Sequence, residues 1–201
     1  MMIRATLVVA TLAVLTATAA HAAPILDFQD VSIPGGTDAV LLSYSSQGFS
    51  LSATSGFAAH GNNSVFYAGS QALAGFSGEN ITLARAGGLS FAVTSIDLAR
   101  NFAFDPTPTV TFTGTKAAGG TVTQSFTVTT PVGQQAFQRF TFAGFTDLVS
   151  LQWDQPQVAA GLHQFDNIAL DVPAVPEPVS VTLLALGLAG MASRRWRQRR
   201  G

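Results

Sequence analysis

The chain has 201 residues, a formal net charge of −1, 47% hydrophobic residues and no cysteine. Without cysteine, disulfides, thiol catalysis and zinc–thiolate sites are excluded, so stability must come from burial, or from burial plus a metal. All 11 acidic residues lie between Asp27 and Glu177, where the basic residues are Arg85, Arg100, Lys116 and Arg139; a body this acidic argues against a nucleic-acid partner, which needs clustered Lys and Arg.

The first 22 residues have the form of a secretory signal peptide. Arg4 supplies the positive start, Ala5 to Ala19 is an apolar run, and Ala20-His21-Ala22 fits the small-x-small cleavage rule. Cleavage between Ala22 and Ala23 is expected, which makes the Sec translocon and signal peptidase partners of the nascent chain.

From Ala23 to Pro173 the sequence predicts one all-β domain. It is rich in Thr, Ser, Val, Phe and Gly, and short apolar runs alternate with turn signals. Ile25–Val31 is the first predicted strand and Pro34-Gly35-Gly36 ends it. Ala39–Tyr44 and Phe49–Ala53 follow, with a turn at Ser45–Gly48. Gly56–Ser64 and Gly69–Gly78 read as loops flanking a short strand at Val65–Ala68. Glu79–Arg85 and Leu89–Leu98 are strands joined by Ala86-Gly87-Gly88. Thr109–Gly114 and Thr121–Thr129 make the clearest hairpin: Val110 and Phe112, then Val122, Phe126 and Val128, share one face, while threonines fill the other. Gln135–Ala143, Asp147–Asp154 and Gln164–Val172 complete the set. About ten short strands without helical periodicity imply a single β-sandwich of jelly-roll type. An outer-membrane barrel needs strands of roughly 9–11 residues and aromatic girdles, and these strands are mostly shorter.

Residues 174–201 have a different character. Val175-Pro176-Glu177-Pro178 is followed by the apolar run Val179–Ala192, then by Arg194, Arg195, Arg197, Arg199 and Arg200. At 1.5 Å per residue, a helix from Val179 to Trp196 covers about 27 Å, against a hydrocarbon core of about 30 Å. The arginines would stay cytoplasmic by the positive-inside rule, with Pro176-Glu177-Pro178 at the outer surface of the inner membrane. This order of features resembles the PEP-CTERM sorting signal of exopolysaccharide-producing Gram-negative bacteria, a type of C-terminus also labelled after an ice-binding protein. The resemblance implies recognition by exosortase, a membrane protease-transpeptidase. It implies cleavage near Pro176, Glu177 and Pro178, with Val175 as the usual preceding residue. It also implies only transient residence in the inner membrane before the body reaches the cell surface or extracellular matrix.

The body offers little catalytic chemistry. His60 and His163 are its histidines and have no metal-binding spacing. Gly-x-Ser-x-Gly and phosphate-loop motifs are absent, and Glu79 and Glu177 are the only glutamates. The expectation is a non-enzyme with a structural or adhesive role in exopolysaccharide. A carbohydrate-binding module acting through the loops Gly56–Ser64 and Gly69–Gly78 is the alternative, and a polysaccharide hydrolase a remote third. In the last predicted strand Asp166 alternates with Ile168, Leu170 and Val172, which points it inward, where a carboxylate must be paired, hydrogen-bonded or bound to a cation. Jelly-roll carbohydrate-binding modules are similar here, and that similarity implies a structural Ca2+ shared by Asp166 with Asp27 and Asp30 of the first strand. Asp166 accepting backbone N–H bonds is the competing reading. Trp153 shares a face with Val149 and Leu151 and reads as core. Tyr44 and Tyr67 border loops and are the candidate sugar platforms.

Overall fold

A computed structural model of the chain describes residues 23–103, 107–132 and 136–172. Ala23–Pro173 forms one compact unit. Its strands are β1 (Ile25–Leu26), β2 (Asp38–Ser46), β3 (Phe49–His60), β4 (Ala72–Gly75), β5 (Asn80–Arg85), β6 (Ala92–Arg100), β7 (Thr109–Lys116), β8 (Thr121–Thr127), β9 (Gln138–Thr141), β10 (Leu148–Asp154) and β11 (His163–Asp171). The expected all-β class is what the structure shows. Among the described residues no helix is long and apolar enough to cross a membrane. The apolar run 179–196 lies outside the described residues.

The pairing is nested. β7 pairs with β8, β6 with β9, β5 with β10 and β4 with β11, all antiparallel. A long hairpin paired this way and folded over itself is a jelly roll. One face of the sandwich is β4-β11-β6-β9 and the other is β5-β10-β7-β8. The hairpin β2–β3 serves both. The first part of β3 pairs with β5 through Phe49–Ser52 and its last part with β4 through Phe57–His60. β3 therefore crosses from one sheet to the other between Ala53 and Gly56, where its register with β2 slips between Leu41 and Ser43. Glu79 accepts hydrogen bonds there from the Ser55 side chain and from the Ser55 and Thr54 backbone. Backbone donors left unpaired by the crossing thus find a carboxylate.

The inward faces carry the aromatic residues. Phe165 of β11 meets Trp153 of β10 edge-on across the sandwich at 5.1 Å, and Phe28 and Phe57 close around it at 5.7 and 6.2 Å. Trp153, Phe57, Phe112 and Phe165 are fully buried, each burial contributing about 1.5–3 kcal/mol. The core reading of Trp153 is thus met. At the far edge β8 and β9 are not joined by a ladder. Phe126 stacks on Phe140 at 4.7 Å, and the Gln124 side-chain amide accepts from Ala143 N–H and donates to Thr141 C=O. An apolar interior with polar outer faces is the inverse of a membrane barrel.

Three local expectations change. The first strand stops at Leu26, because the chain turns through Val31 N–H donating to Phe28 C=O and drops the Phe28 ring into the core. Gly56–Ser64 is not a loop throughout: β3 continues to His60 with Phe57 and Ala59 buried. Val65–Ala68 forms no strand, whereas Ala72–Gly75, inside an expected loop, does.

Candidate functional site

The register places a polar row across the outer face of the β4 sheet, extended by β3 and β2. Asp38 pairs with His60 and His60 with Ala72. Leu73 opposite Phe165 then sets Ala72 beside Asp166. Asp166 faces Asp97, and Asp97 faces Arg139. Cross-strand partners share a face, so these six residues lie side by side across six strands.

The segment 61–71 lies over this row. Ser64 Oγ donates to Asp38 Oδ1 at 2.6 Å, and Phe66 packs its ring 5.0 Å from His60. Gln164, on the same outer face, donates to Phe66 C=O at 2.8 Å, and Ser70 Oγ donates to Asp166 Oδ2. His60 Nδ1 donates to Asp38 Oδ1 at 2.7 Å. Burial works to raise the Asp38 pKa, but the hydrogen bonds from His60 and Ser64 and the His60 charge outweigh it and hold it below its ordinary value. Asp38, His60 and Ser64 have the composition of a catalytic triad but not its wiring. The serine hydroxyl donates to the carboxylate, whereas a nucleophile must give its proton to the imidazole.

Asp166 is fully buried, and it faces the overlying segment instead of the core. The expected shared face with Ile168 fails because a β-bulge intervenes. Asp166 pairs with Asp97 but Ala169 pairs with Ser95, so Asn167 and Ile168 together oppose one residue of β6. Asn167 takes a left-handed φ of 48°, an Asn-tolerated conformation. Its Nδ2 donates to Asp97 Oδ2 at 3.1 Å and Asp166 Oδ2 at 3.2 Å, and its backbone N–H donates to Asp166 Oδ1 at 2.7 Å. Arg139 clamps Asp97 with two bonds of 2.7 and 2.9 Å. Burial pushes the Asp166 pKa up to about 7, against the Ser70 and Asn167 hydrogen bonds and with help from the Asp97 and Asp27 charges.

The other predicted residues scatter. Tyr44 is not a platform: it is buried, its ring edges onto Phe28 at 4.9 Å, and its hydroxyl donates to Asp30 at 2.8 Å. Burial pushes its pKa up to about 12, Asp30 and Asp27 adding to the shift and a Ser46 hydrogen bond opposing it. Its position next to a turn suggested exposure, but the left-over face of β2 beyond the slip points inward. Tyr67 is half-buried in the covering segment and donates to Gly69 C=O at 2.8 Å. Asp27 is exposed and accepts from Gln29 N–H at 3.3 Å. Among the described residues no three of His, Asp or Glu are grouped so as to hold a metal ion. The structure therefore does not gather Asp27, Asp30 and Asp166 into one ligand set. Ala23 begins the described body. Ala22, Val175, Pro176, Glu177, Pro178 and the arginines Arg194, Arg195, Arg197, Arg199 and Arg200 lie outside the described residues.

The opposite sheet presents a face that no described segment covers. Its central row runs Ser43, Ser52, Thr82, Gln152, Thr113 and Thr123 across β2, β3, β5, β10, β7 and β8, every member partly or fully exposed. A parallel row runs Ser45, Ser50, Ala84, Ser150, Thr115 and Thr121. Hydroxyls also pair across β7 and β8: Thr109 with Thr127 at 2.9 Å and Thr111 with Ser125 at 2.8 Å. The alternating threonines of one hairpin were visible in the sequence, but the six-strand row is created by pairings between distant segments.

Fold and register define the body as a jelly roll with one covered and one open outer face. Residues 174–200 match the family model of the PEP-CTERM protein-sorting motif. The chain thus carries a sorting signal that implies exosortase processing, export, and a surface or extracellular destination. Among curated proteins nothing matches. Among solved structures an exo-β-agarase aligns with a TM-score of 0.43 and 11% identity, over 79% of this chain and 26% of the agarase. A family 11 carbohydrate-binding module from Clostridium thermocellum, solved with a β-1,3-1,4-mixed-linked tetrasaccharide, aligns with a TM-score of 0.31 and 12% identity, over 76% of this chain and 96% of that one.

Proposed function

We propose that this is an exosortase-sorted surface or matrix protein whose jelly roll is non-catalytic and serves a structural or adhesive role in exopolysaccharide. The sorting motif at residues 174–200 carries the reading. In the body, support comes from how the polar residues are used: Asp38, His60 and Ser64 lock a covering segment, and Glu79 serves the β3 crossing. On this reading the signal peptide passes the chain through the Sec translocon, and the arginine tail halts it in the inner membrane. Exosortase then cuts near Pro176-Glu177-Pro178.

Cell fractionation tests the route. With Pro176, Glu177 and Pro178 all changed to alanine, the chain is expected to accumulate in the inner membrane at full precursor length, while the unaltered chain leaves it. Normal processing and release of the triple variant would overturn the reading.

A further inference from the structure

We propose that the open hydroxyl face of the β2-β3-β5-β10-β7-β8 sheet docks a neutral polysaccharide chain. The inference rests on the export reading for its setting and on the face's chemistry for its ligand. Strands stand about 4.8 Å apart and same-face residues about 6.7 Å apart along a strand, so the two rows form a regular grid of hydroxyl and amide groups about 24 Å across. The grid offers donors and acceptors at every strand, which suits a polymer that is itself a repeat of hydroxyls.

The alternatives lack partners on this face. A lipid surface or a protein hot spot needs exposed large apolar or aromatic side chains, and the one apolar member of the two rows is the small, partly exposed Ala84. A nucleic acid or an acidic polysaccharide needs free cations. The nearby Arg85 donates to Ser90 C=O and Lys116 to Gly144 C=O, so both point their charge into backbone. Beside the grid, the Asp154 carboxylate accepts from Asn80 Nδ2 at 2.6 Å. With so acidic a body around it, the neutral grid is matched in charge to a neutral chain. Its edge strand β8 also lacks the charged residues that usually guard an exposed edge.

The experiment is affinity electrophoresis of the full-length chain in a zwitterionic detergent. Native gels are cast with mixed-linkage β-glucan, dextran, agarose or alginate. At least one neutral polymer is expected to retard the protein, and alginate is not. The pair Thr113→Glu and Thr123→Glu, adjacent across β7 and β8, is expected to weaken retardation at least tenfold. The milder pair Thr113→Ala and Thr123→Ala is expected to weaken it about threefold with an unchanged far-UV circular dichroism spectrum. The control Val40→Thr, on the opposite outer face, is expected to behave as wild type. No retardation by any neutral polymer, equal retardation of both Thr113/Thr123 variants and wild type, or stronger binding to alginate would each overturn the proposal. None of these outcomes depends on the sorting motif, whose own test is fractionation, so the two readings fail separately.

Discussion

Gly56→Ala is expected to be the most destabilising conservative substitution at the sheet crossing, lowering the melting temperature by about 10 °C. Gly56 has φ +90°, and a Cβ there would land on the Leu41 carbonyl and 3.0 Å from Leu42 Cα. The first effect is intrinsic: an L side chain in left-handed backbone costs about 1–2 kcal/mol. The second is a collision with backbone, which no rotamer can relieve, and forced overpacking adds about 1–3 kcal/mol. At about 2–4 °C per kcal/mol for a body of this size the two together give the expected shift. Gly119 supplies the control, because it has nearly the same φ, +91°, and a Cβ there would meet nothing within 4 Å. Gly119→Ala should show the backbone cost alone, about 1–2 kcal/mol. Thermal unfolding of the two variants side by side separates the effects, and equal losses would mean that β3 does not press on β2 at the crossing.

Asp166→Asn is expected to raise the melting temperature at pH 8.5 and to leave it near wild type at pH 5. The ordinary Asp value is 3.8 and the folded value is about 7. Between these values the folded state binds more protons than the unfolded chain, so this residue's contribution to stability falls as pH rises from about 4 to about 7. A shift of this size corresponds to about 4 kcal/mol once Asp166 is ionised, at 1.36 kcal/mol per pH unit. Asparagine removes that cost but keeps the shape, and loses acceptors for Ser70 and the Asn167 side chain. A net gain of about 5 °C at pH 8.5 remains after that loss. His163 works in the opposite sense. Burial pushes its pKa down to about 4, against a hydrogen bond with the Gly161 backbone. Its contribution is present above the ordinary value of 6.5 and is lost as pH falls from there to about 4. In the wild type the two slopes offset one another between about pH 4 and 6.5, so the variant should show a steeper acid decline than its parent. A calcium ligand at Asp166 would give the contrary result: asparagine would lower the melting temperature at pH 8.5, and EDTA would lower it in the wild type.

The class of fold was legible because period-two patterning survives in nearly every strand. Val110 and Phe112 against Thr109 and Thr111, and Leu151 and Trp153 against Gln152, declare their faces without knowledge of their neighbours. What the sequence hid is wherever that period breaks. The bulge at Asn167 flips Asp166 to the other face, so extending the alternation back from Ile168 gave the wrong side. Gly56 turns an apparent loop into a strand that joins two sheets, and nothing local distinguishes such a glycine from one in a turn. The row from Asp38 to Arg139, buried at its middle and exposed at both ends, and the open row from Ser43 to Thr123 each draw on six strands, and only the long-range register brings them together. The C-terminal address was legible outright, because it is read as a linear motif.

The most direct test of delivery by exosortase is the intact mass of the protein recovered from the surface or medium of cells that make that enzyme. The expected species begins at Ala23 and ends at or near Pro176–Pro178, without the apolar run and the arginines. A recovered species that still carries residues 179–201 would contradict the claim that this C-terminus is a sorting signal removed on delivery.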